Sequence, residues 1–181
     1  MMGRRIAVKG TSGAGKTTFA AALADRLHVA HVELDALHHG PNWTEASAEV
    51  LAARVRAAMD ANPNGWVIDG NYERKLETLV IDAADTIVWL DLPLHTLLLR
   101  LWRRTATRIR GDVELWNGNR ESWRTALWGL DSLFVWAVRS FFRHRREWPR
   151  WLGSYPGFVR LRSPEAARRW LDTQRQVTSD L

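Results

Sequence analysis

The sequence predicts an α/β fold in which helices cover both faces of a parallel sheet. Short apolar stretches alternate along the chain with amphipathic stretches at helical spacing, the order expected of strands joined by crossover helices. The stretch TIVWLDL is almost continuously apolar, as strands buried on both faces of a sheet are. A glycine-rich turn separates the first strand from the first helix. With 181 residues, the chain is expected to form a single domain over residues 1–181.

The first half of the chain is predicted from apolar runs and from the turn residues that end them. Apolar side chains three and four positions apart mark the helices, and runs that end at glycine or an acid mark the strands. The proline and glycine of residues 62–65 close the second long helix. The predicted elements are strands at 4–9, 31–34, 66–69 and 85–92, helices at 16–27, 45–61 and 75–81, and a loop at 35–44.

The second half is predicted to add helices and a fifth strand. A helix follows Pro93 and runs from 94 to about 109, and the polar hinge 110–121 separates it from a second helical stretch at 122–151. A short strand at 158–161 precedes the last helix, where Ser163 is the expected N-cap and Pro164 the first helical residue. Residues 110–151 are therefore expected to form a helical insertion on the α/β sandwich.

The positive charge of the protein is concentrated in one segment. The chain has 26 basic and 20 acidic residues, and residues 100–150 contain twelve arginines, five acidic residues and more than half of the tryptophans. Such a segment can contact phosphates, nucleic acid or a membrane surface. Its apolar positions also suit packing on the domain or on a partner subunit, which is the interpretation we favour. Binding of nucleic acid stays open as the alternative.

Some classes of protein are excluded by what the sequence lacks. There is no cysteine, so disulfides, thiol catalysis and cysteine-ligated metals are ruled out. No apolar stretch reaches the length of a membrane span, and the N-terminal residues do not resemble a secretory signal. We expect a cytoplasmic protein that is a monomer or a homodimer.

Residues 10–17 read GTSGAGKT, which matches the phosphate-binding pattern GxxxxGK[ST]. Glycines let the backbone wrap around a polyphosphate, and the N–H groups that open the following helix attract its negative charge. Lys16 is expected to reach the β and γ phosphates, and the Thr17 hydroxyl to bind Mg²⁺. The turn therefore predicts binding of ATP or GTP with Mg²⁺. The predicted nucleotide-binding residues are Gly10, Ser12, Gly13, Ala14, Gly15, Lys16, Thr17 and Thr18.

These motifs together resemble the adenylate-kinase-related P-loop kinases. The run GTSGAGKTT is similar to that of their short-chain members, and VIDGNY at 67–72 and VWLDLP at 88–93 resemble the ends of their third and fourth strands. The combination of LDALH at 34–38, GPNW at 40–43 and ELWNGNRES at 114–122 is similar to the family often labelled topology modulation protein. The resemblance covers nearly the whole chain. It implies a P-loop NTPase three-layer sandwich with a five-stranded parallel sheet and a helical lid.

The same resemblance implies roles for residues outside the phosphate-binding turn. Asp69 would hold Mg²⁺ through water. Arg104, Arg108 and Arg120 would close over the phosphates as part of the lid, where arginine forks neutralise charge on phosphoryl oxygens. Arg104 would also contact ATP, and the backbone around Arg162 would contact the adenine. A closed lid would exclude water and favour transfer over hydrolysis.

The acceptor region departs from the adenylate kinase pattern. Those enzymes place an arginine four residues after the aspartate of the third strand, and Glu73 occupies that position here. The loop after the second strand offers Asp35 and His38, and a carboxylate can orient a hydroxyl and accept its proton. This favours a hydroxylated acceptor, and a nucleoside monophosphate stays open as the alternative acceptor. The predicted acceptor-site residues are Asp35, His38, Trp43, Asn71 and Tyr72.

Two functions are therefore predicted from different classes. The first is an ATP- and Mg²⁺-dependent kinase that phosphorylates a small acceptor, with Lys16, Asp35, Arg104, Arg108 and Arg120 as catalytic residues. The second is a nucleotide-dependent DNA-binding regulator that uses residues 100–150 as its basic surface.

Overall fold

The computed structural model describes residues 3–111, 114, 116–119 and 133–174. Within these residues, five strands form one parallel sheet in the order β2-β3-β1-β4-β5. The five-stranded parallel α/β fold predicted from the sequence is thereby confirmed. The strands are β1 (Arg5–Gly10), β2 (Ala30–Glu33), β3 (Trp66–Asp69), β4 (Thr86–Leu90) and β5 (Phe158–Leu161).

Helices follow the strands and cover both faces of the sheet. No described helix is both long and apolar enough to cross a lipid bilayer. The helices of the described residues are α1 (Lys16–Leu27), α2 (Leu34–His38), α3 (Ala48–Asp60), α4 (Glu73–Leu76), α5 (Leu79–Asp82), α6 (Leu94–Arg110), α7 (Leu133–Trp151) and α8 (Pro164–Thr173), with 3₁₀ turns at Pro41–Trp43, Trp116–Gly118 and Leu152–Ser154.

The alternation of side chains along β1 divides the core into two parts. Ile6 and Val8 belong to a cluster with α1 and α8, whereas Ala7 belongs to the cluster on the opposite face with α3. Successive side chains of a strand point to opposite faces, so a strand at the centre of a sheet must be apolar on both. Because β1 is the central strand, the phosphate-binding turn that follows it lies at the middle of the sheet edge.

Two local predictions are corrected by the structure. Leu34 was expected to end the second strand and residues 35–38 to lie in a loop, but these five residues form the short helix α2, so Asp35 lies on a helical turn. Residues 75–81 were expected to form one helix, but Glu77 has a φ of 48° and separates α4 from α5. A residue in the left-handed region cannot continue a right-handed helix.

The described part of the predicted insertion is joined closely to the domain. In α7, Phe141 contributes to the core on the α1 face and Trp148 to the core on the α3 face. The Trp148 ring also lies 5.4 Å from the ring of Trp89 in β4. Phe141 and Trp148 therefore join α7 to the body of the protein, whereas Phe142 is exposed.

Candidate active site

The carboxyl ends of the strands open into one cleft of about 1720 Å³. Its lining residues include two groups. One group, the phosphate end, comprises the turn after β1, the α6 arginines Arg100, Arg104 and Arg108, and residues of α8. The other, the acceptor end, comprises Glu33, Asp35, His38, His39, Trp43, Glu45, Gly70, Asn71, Tyr72 and Trp116. Parallel sheets bring loops from several strands to the same edge, which makes this edge the usual ligand site of such folds.

The phosphate end has the backbone conformation that the glycine motif predicts. Gly13 and Gly15 both have a φ of 83°, and a Cβ on Gly13 would clash with the carbonyl oxygen of Leu97. Only glycine adopts this conformation freely at such a close approach. Gly10 ends β1, and the Ala14 side chain is buried. The other six predicted nucleotide-binding residues line the cleft: Ser12, Gly13, Gly15, Lys16, Thr17 and Thr18.

Lys16 lies among charges of both signs. Desolvation lowers the pKa of its ammonium, while Asp35 and Asp69 raise it and Arg104 lowers it further. The negative charge of bound phosphates would compensate for the loss of solvent around Lys16 and would favour the charged form of its ammonium. The position and electrostatics of Lys16 therefore suit a polyphosphate ligand at the start of α1.

The predicted magnesium residues lie together. The Thr17 hydroxyl donates to Oδ1 of Asp69 at 3.2 Å, and His31 lies 2.7 Å from Oδ2 of the same carboxylate. Hydroxyl and carboxylate oxygens are the donors that Mg²⁺ prefers, usually with several waters retained. Glu33, the register partner of Asp69 on β2, also lines the cleft. Among the described residues, no cluster of three or more His, Asp or Glu side chains forms a separate metal site.

Asp35 and Tyr72 form the centre of the acceptor end. The Tyr72 hydroxyl donates to Oδ1 of Asp35 at 2.6 Å and lies 3.5 Å from Nε2 of His39. Burial and the Asp35 carboxylate raise the pKa of Tyr72, so the phenol stays protonated and acts as a donor. One oxygen of Asp35 is thus fixed by Tyr72, and the carboxylate can present the other to a ligand.

His38 and Asn71 have structural partners in addition to their places in the cleft. His38 is buried, lies 3.4 Å from Glu45, and has its pKa lowered chiefly by burial. The Asn71 amide donates to the carbonyl of Gly10 at 2.7 Å, which braces the end of β1. Both residues line the cleft as predicted, but the side chain of Asn71 is committed to the backbone of the phosphate-binding strand.

A clasp that sequence reasoning did not foresee joins the 3₁₀ turn at Pro41–Trp43 to the turn at Trp116–Gly118. The Asn119 side chain accepts from the backbone N–H of Trp43 at 2.8 Å and donates to the carbonyl of Gly40 at 2.9 Å. The Trp116 indole donates to Glu33 at 3.2 Å, closing the same side of the cleft. The motifs GPNW and ELWNGNRES had drawn attention to both segments, but their contact is a tertiary one.

Three arginines of α6 line the cleft. Arg104 and Arg108 were predicted, and Arg100 was missed although it precedes them at the same four-residue spacing. Arg100 donates to the carbonyl of Ala14 at 3.2 Å, which places it beside the phosphate-binding turn. Side chains four residues apart share one face of a helix, so this spacing was the available signal.

Of the two remaining predicted arginines, one lies outside the described residues and the other does not line the cleft. Arg120 lies outside the described part of the chain, and its role stays a prediction. Arg162 is exposed and is absent from the lining of the cleft, where Arg168 of α8 is present instead. A contact of the Arg162 backbone with adenine likewise stays a prediction.

Two further charged residues are held in ion pairs. Glu73, which departs from the adenylate kinase pattern, lies 3.0 Å from the buried ammonium of Lys9. Asp91 is buried and paired with both Arg145 and Arg160 at 2.7 Å. Arg145 of the basic segment is therefore engaged in an ion pair with a buried carboxylate, although its own side chain is exposed. The described residues give no support to a nucleic-acid surface.

The comparisons with known proteins agree with this architecture. A family model described as AAA domain matches residues 6–124, which is more than half of the chain. A comparison with curated protein sequences finds no significant match. The solved structures with a similar fold include a gluconokinase from Sinorhizobium meliloti 1021, with a TM-score of 0.55 and 18% identity over 96% of this chain and 92% of that one.

Two shikimate kinases have the same fold. The enzyme from Acinetobacter baumannii in complex with shikimate has a TM-score of 0.58 and 14% identity, covering 94% of this chain and 90% of that one. The enzyme from Bacteroides thetaiotaomicron has a TM-score of 0.54 and 16% identity, covering 95% and 94%. These identities establish a shared fold, and the acceptors in those names are properties of those proteins. The chain therefore belongs to the AAA domain family of P-loop proteins and has the adenylate-kinase-like fold of the small P-loop kinases.

Proposed function

We propose that the protein transfers the γ-phosphoryl group of ATP, with Mg²⁺, to a hydroxyl of a small molecule. The observation that carries the proposal is the position of Asp35. Its carboxylate lines the same cleft as Lys16. Among the charged groups that raise the pKa of the Lys16 ammonium, Asp35 has the largest effect. A general base that shares a cleft with a phosphate-binding lysine is the arrangement a hydroxyl acceptor needs.

In the proposed reaction, Asp35 orients the acceptor hydroxyl and takes its proton. The acceptor oxygen forms a bond to the γ-phosphorus while the bond between that phosphorus and the oxygen bridging to the β-phosphorus breaks. The products are the phosphorylated acceptor and ADP. Tyr72 holds the carboxylate in place by donating to one of its oxygens at 2.6 Å, and leaves the other free to contact the hydroxyl.

Charge neutralisation is assigned to residues of the phosphate end. The backbone N–H groups that open α1 and the Lys16 ammonium contact the β and γ phosphates. Arg104 and Arg108 line the same cleft from one face of α6 and supply further positive charge to the transferring group. Mg²⁺ supplies additional neutralisation when bound, and Thr17 and Asp69 are the residues that fit it, the latter through water.

The proposal is tested by measuring product mass after incubation with ATP, Mg²⁺ and a panel of nucleosides, nucleoside monophosphates, sugars and amino sugars. A product heavier by one phosphoryl group establishes the kinase. Lys16→Ala should lower kcat/KM by about 1000-fold, and Asp35→Asn should lower transfer while the affinity for ATP is retained. Asp25→Asn, an exposed carboxylate on α1, is the matched control. Normal turnover by the Asp35 variant would remove that residue from the mechanism.

A further inference from the structure

We infer that the acceptor is a ring-bearing alcohol without an anionic group: a neutral sugar, cyclitol or nucleoside, or an amine-bearing form of one. The inference rests on the proposed function and adds the class of substrate to it. It follows from three properties of the acceptor end: aromatic rings on its walls, carboxylates facing the cleft, and the absence of arginine and lysine from its described residues.

Aromatic rings line much of the acceptor end. The ring of His39 lies 5.3 Å from that of Trp43 and 6.1 Å from that of Trp116. The ring of His38 lies 4.7 Å from that of Tyr72. Trp43 is 40% exposed although it lines the cleft, so part of its side chain is accessible to a ligand. Flat rings and the C–H faces of sugars stack on such surfaces, and an ammonium group is attracted to them.

Carboxylates supply the charge of the acceptor end. Glu33 accepts from the indole N–H of Trp116, and Asp35 accepts from the phenol of Tyr72; both partners are neutral donors. Glu45 is instead paired with Lys75 at 2.8 Å. A carboxylate or phosphate on the acceptor would meet like charge from Glu33 and Asp35, whereas hydroxyl and amine groups would find acceptors for their hydrogen bonds.

The cationic side chains of the cleft belong to other segments. Lys16 opens α1, Arg100, Arg104 and Arg108 come from α6, and Arg168 comes from α8. Residues 33–45, 70–72 and 116 contain no arginine or lysine. Binding of an acidic acceptor usually relies on an arginine fork. The described residues of the acceptor end offer none, and the phosphates of ATP compete for the cations at the other end.

The test uses matched ring-bearing acceptors that differ in one charged group: a hexose, its amino-deoxy form and its uronic acid; a cyclitol and its carboxylate; and a nucleoside and its monophosphate. Initial rates are measured with ATP and Mg²⁺, and the products are identified by mass. The inference predicts that neutral or amine-bearing members exceed the acids by about 100-fold or more in kcat/KM, because like charges repel in a desolvated site. Equal or faster phosphorylation of the acids overturns it while leaving the kinase function standing. Transfer to no member of the panel, with ATP bound, contradicts the proposed function itself.

The aromatic wall is tested separately on the preferred acceptor. Trp116→Leu should raise the acceptor KM by about tenfold through loss of a stacking face, without changing the KM for ATP. Trp116→Phe keeps an aromatic ring but loses the N–H that contacts Glu33 and part of the ring area, so it should recover part of the affinity. Trp102→Leu is the control, because Trp102 is 45% exposed and does not line the cleft. If Trp116→Leu binds the acceptor as the wild type does, the proposed contact between the Trp116 ring and the acceptor is wrong.

Discussion

The hydroxyl of Thr17 lies 3.2 Å from Oδ1 of Asp69, although one residue belongs to helix α1 and the other to strand β3. The contact arises because β1 and β3 are paired in parallel, so the start of α1 and the end of β3 meet at one edge of the sheet. His31 contacts the second oxygen of the carboxylate and fixes its orientation. The arrangement presents two oxygen donors toward the site where the phosphates of ATP are expected.

Replacing Asp69 tests this pair as a magnesium site. Asp69→Asn should lower turnover by about 10- to 100-fold, since outer partners of a metal contribute that much to affinity or activity. Turnover should recover partly when Mg²⁺ is raised, because weakened metal binding is offset by concentration. Kinetics over a range of Mg²⁺ concentrations measure the effect. Asp172 pairs with Arg26 on the surface, so Asp172→Asn is the control and should leave the Mg²⁺ dependence unchanged.

The two tyrosines of the chain provide a matched pair of variants. Tyr72→Phe removes the donor to Asp35 and should lower kcat by about 30-fold, because a hydrogen bond to a charged group is worth roughly 2 kcal/mol. Tyr155→Phe removes an equivalent hydrogen bond, to Asp82 at 3.0 Å, away from the cleft and should leave kcat unchanged. Steady-state kinetics on both proteins distinguish them. Equal kcat values would mean that Tyr72 does not position the base.

The Asn119 clasp is expected to act on the acceptor rather than on ATP. Asn119→Ala removes the side-chain hydrogen bonds with Trp43, Gly40 and Trp116, so the wall of the acceptor end loses its anchor. The acceptor KM should rise by about tenfold and the free energy of unfolding should fall by about 3 kcal/mol, at roughly 1 kcal/mol for each hydrogen bond. Asn62→Ala removes a hydrogen bond to Ala58 in helix α3 and controls for stability alone. An unchanged acceptor KM would restrict the clasp to a structural role.

His144 predicts how stability depends on pH. The ring is buried against Trp148 with their centroids 3.8 Å apart, and burial lowers its pKa from 6.5 to about 4 despite the attraction of Glu73. Arg143, Lys16 and Lys9 lower it further. Because the unfolded chain binds the proton more tightly, the folded state loses stability as pH falls from about 6.5 toward 4, by up to about 3 kcal/mol.

This dependence is checked by urea unfolding at pH 7.5 and at pH 5. The variant His144→Phe retains a ring against Trp148 and removes the titrating group, so it should lose less stability between the two pH values than the wild type does. His28→Phe, at an exposed position, is the comparison. An identical loss in wild type and His144→Phe would assign the acid sensitivity to other groups.

Local sequence determined the elements whose signals lie within a few residues. Helix α1 has the bounds that were predicted, and Ser163 caps α8 by accepting from the N–H of Ala166, with Pro164 in the first turn. The prediction failed where tertiary contacts decide the backbone. Residues 35–38 lie in a helix whose first residue, Leu34, is buried in the core, whereas the sequence alone indicated a loop from His38, His39 and the glycine that follows them.

The sequence by itself determined the phosphate-binding turn, because its glycines, lysine and threonine act within one contiguous segment whose backbone conformation they impose. The acceptor end was only partly predictable. Asp35 and Tyr72 were each recognised, yet their 2.6 Å contact depends on how β2 and β3 pair in the sheet. The Asn119 clasp, the ion pair of Arg145 with Asp91 and the ion pair of Glu73 with Lys9 could not be predicted from the sequence. Spacing along a sequence does not specify the distance between elements. Tertiary packing decided which of these polar groups partner one another and which face the cleft.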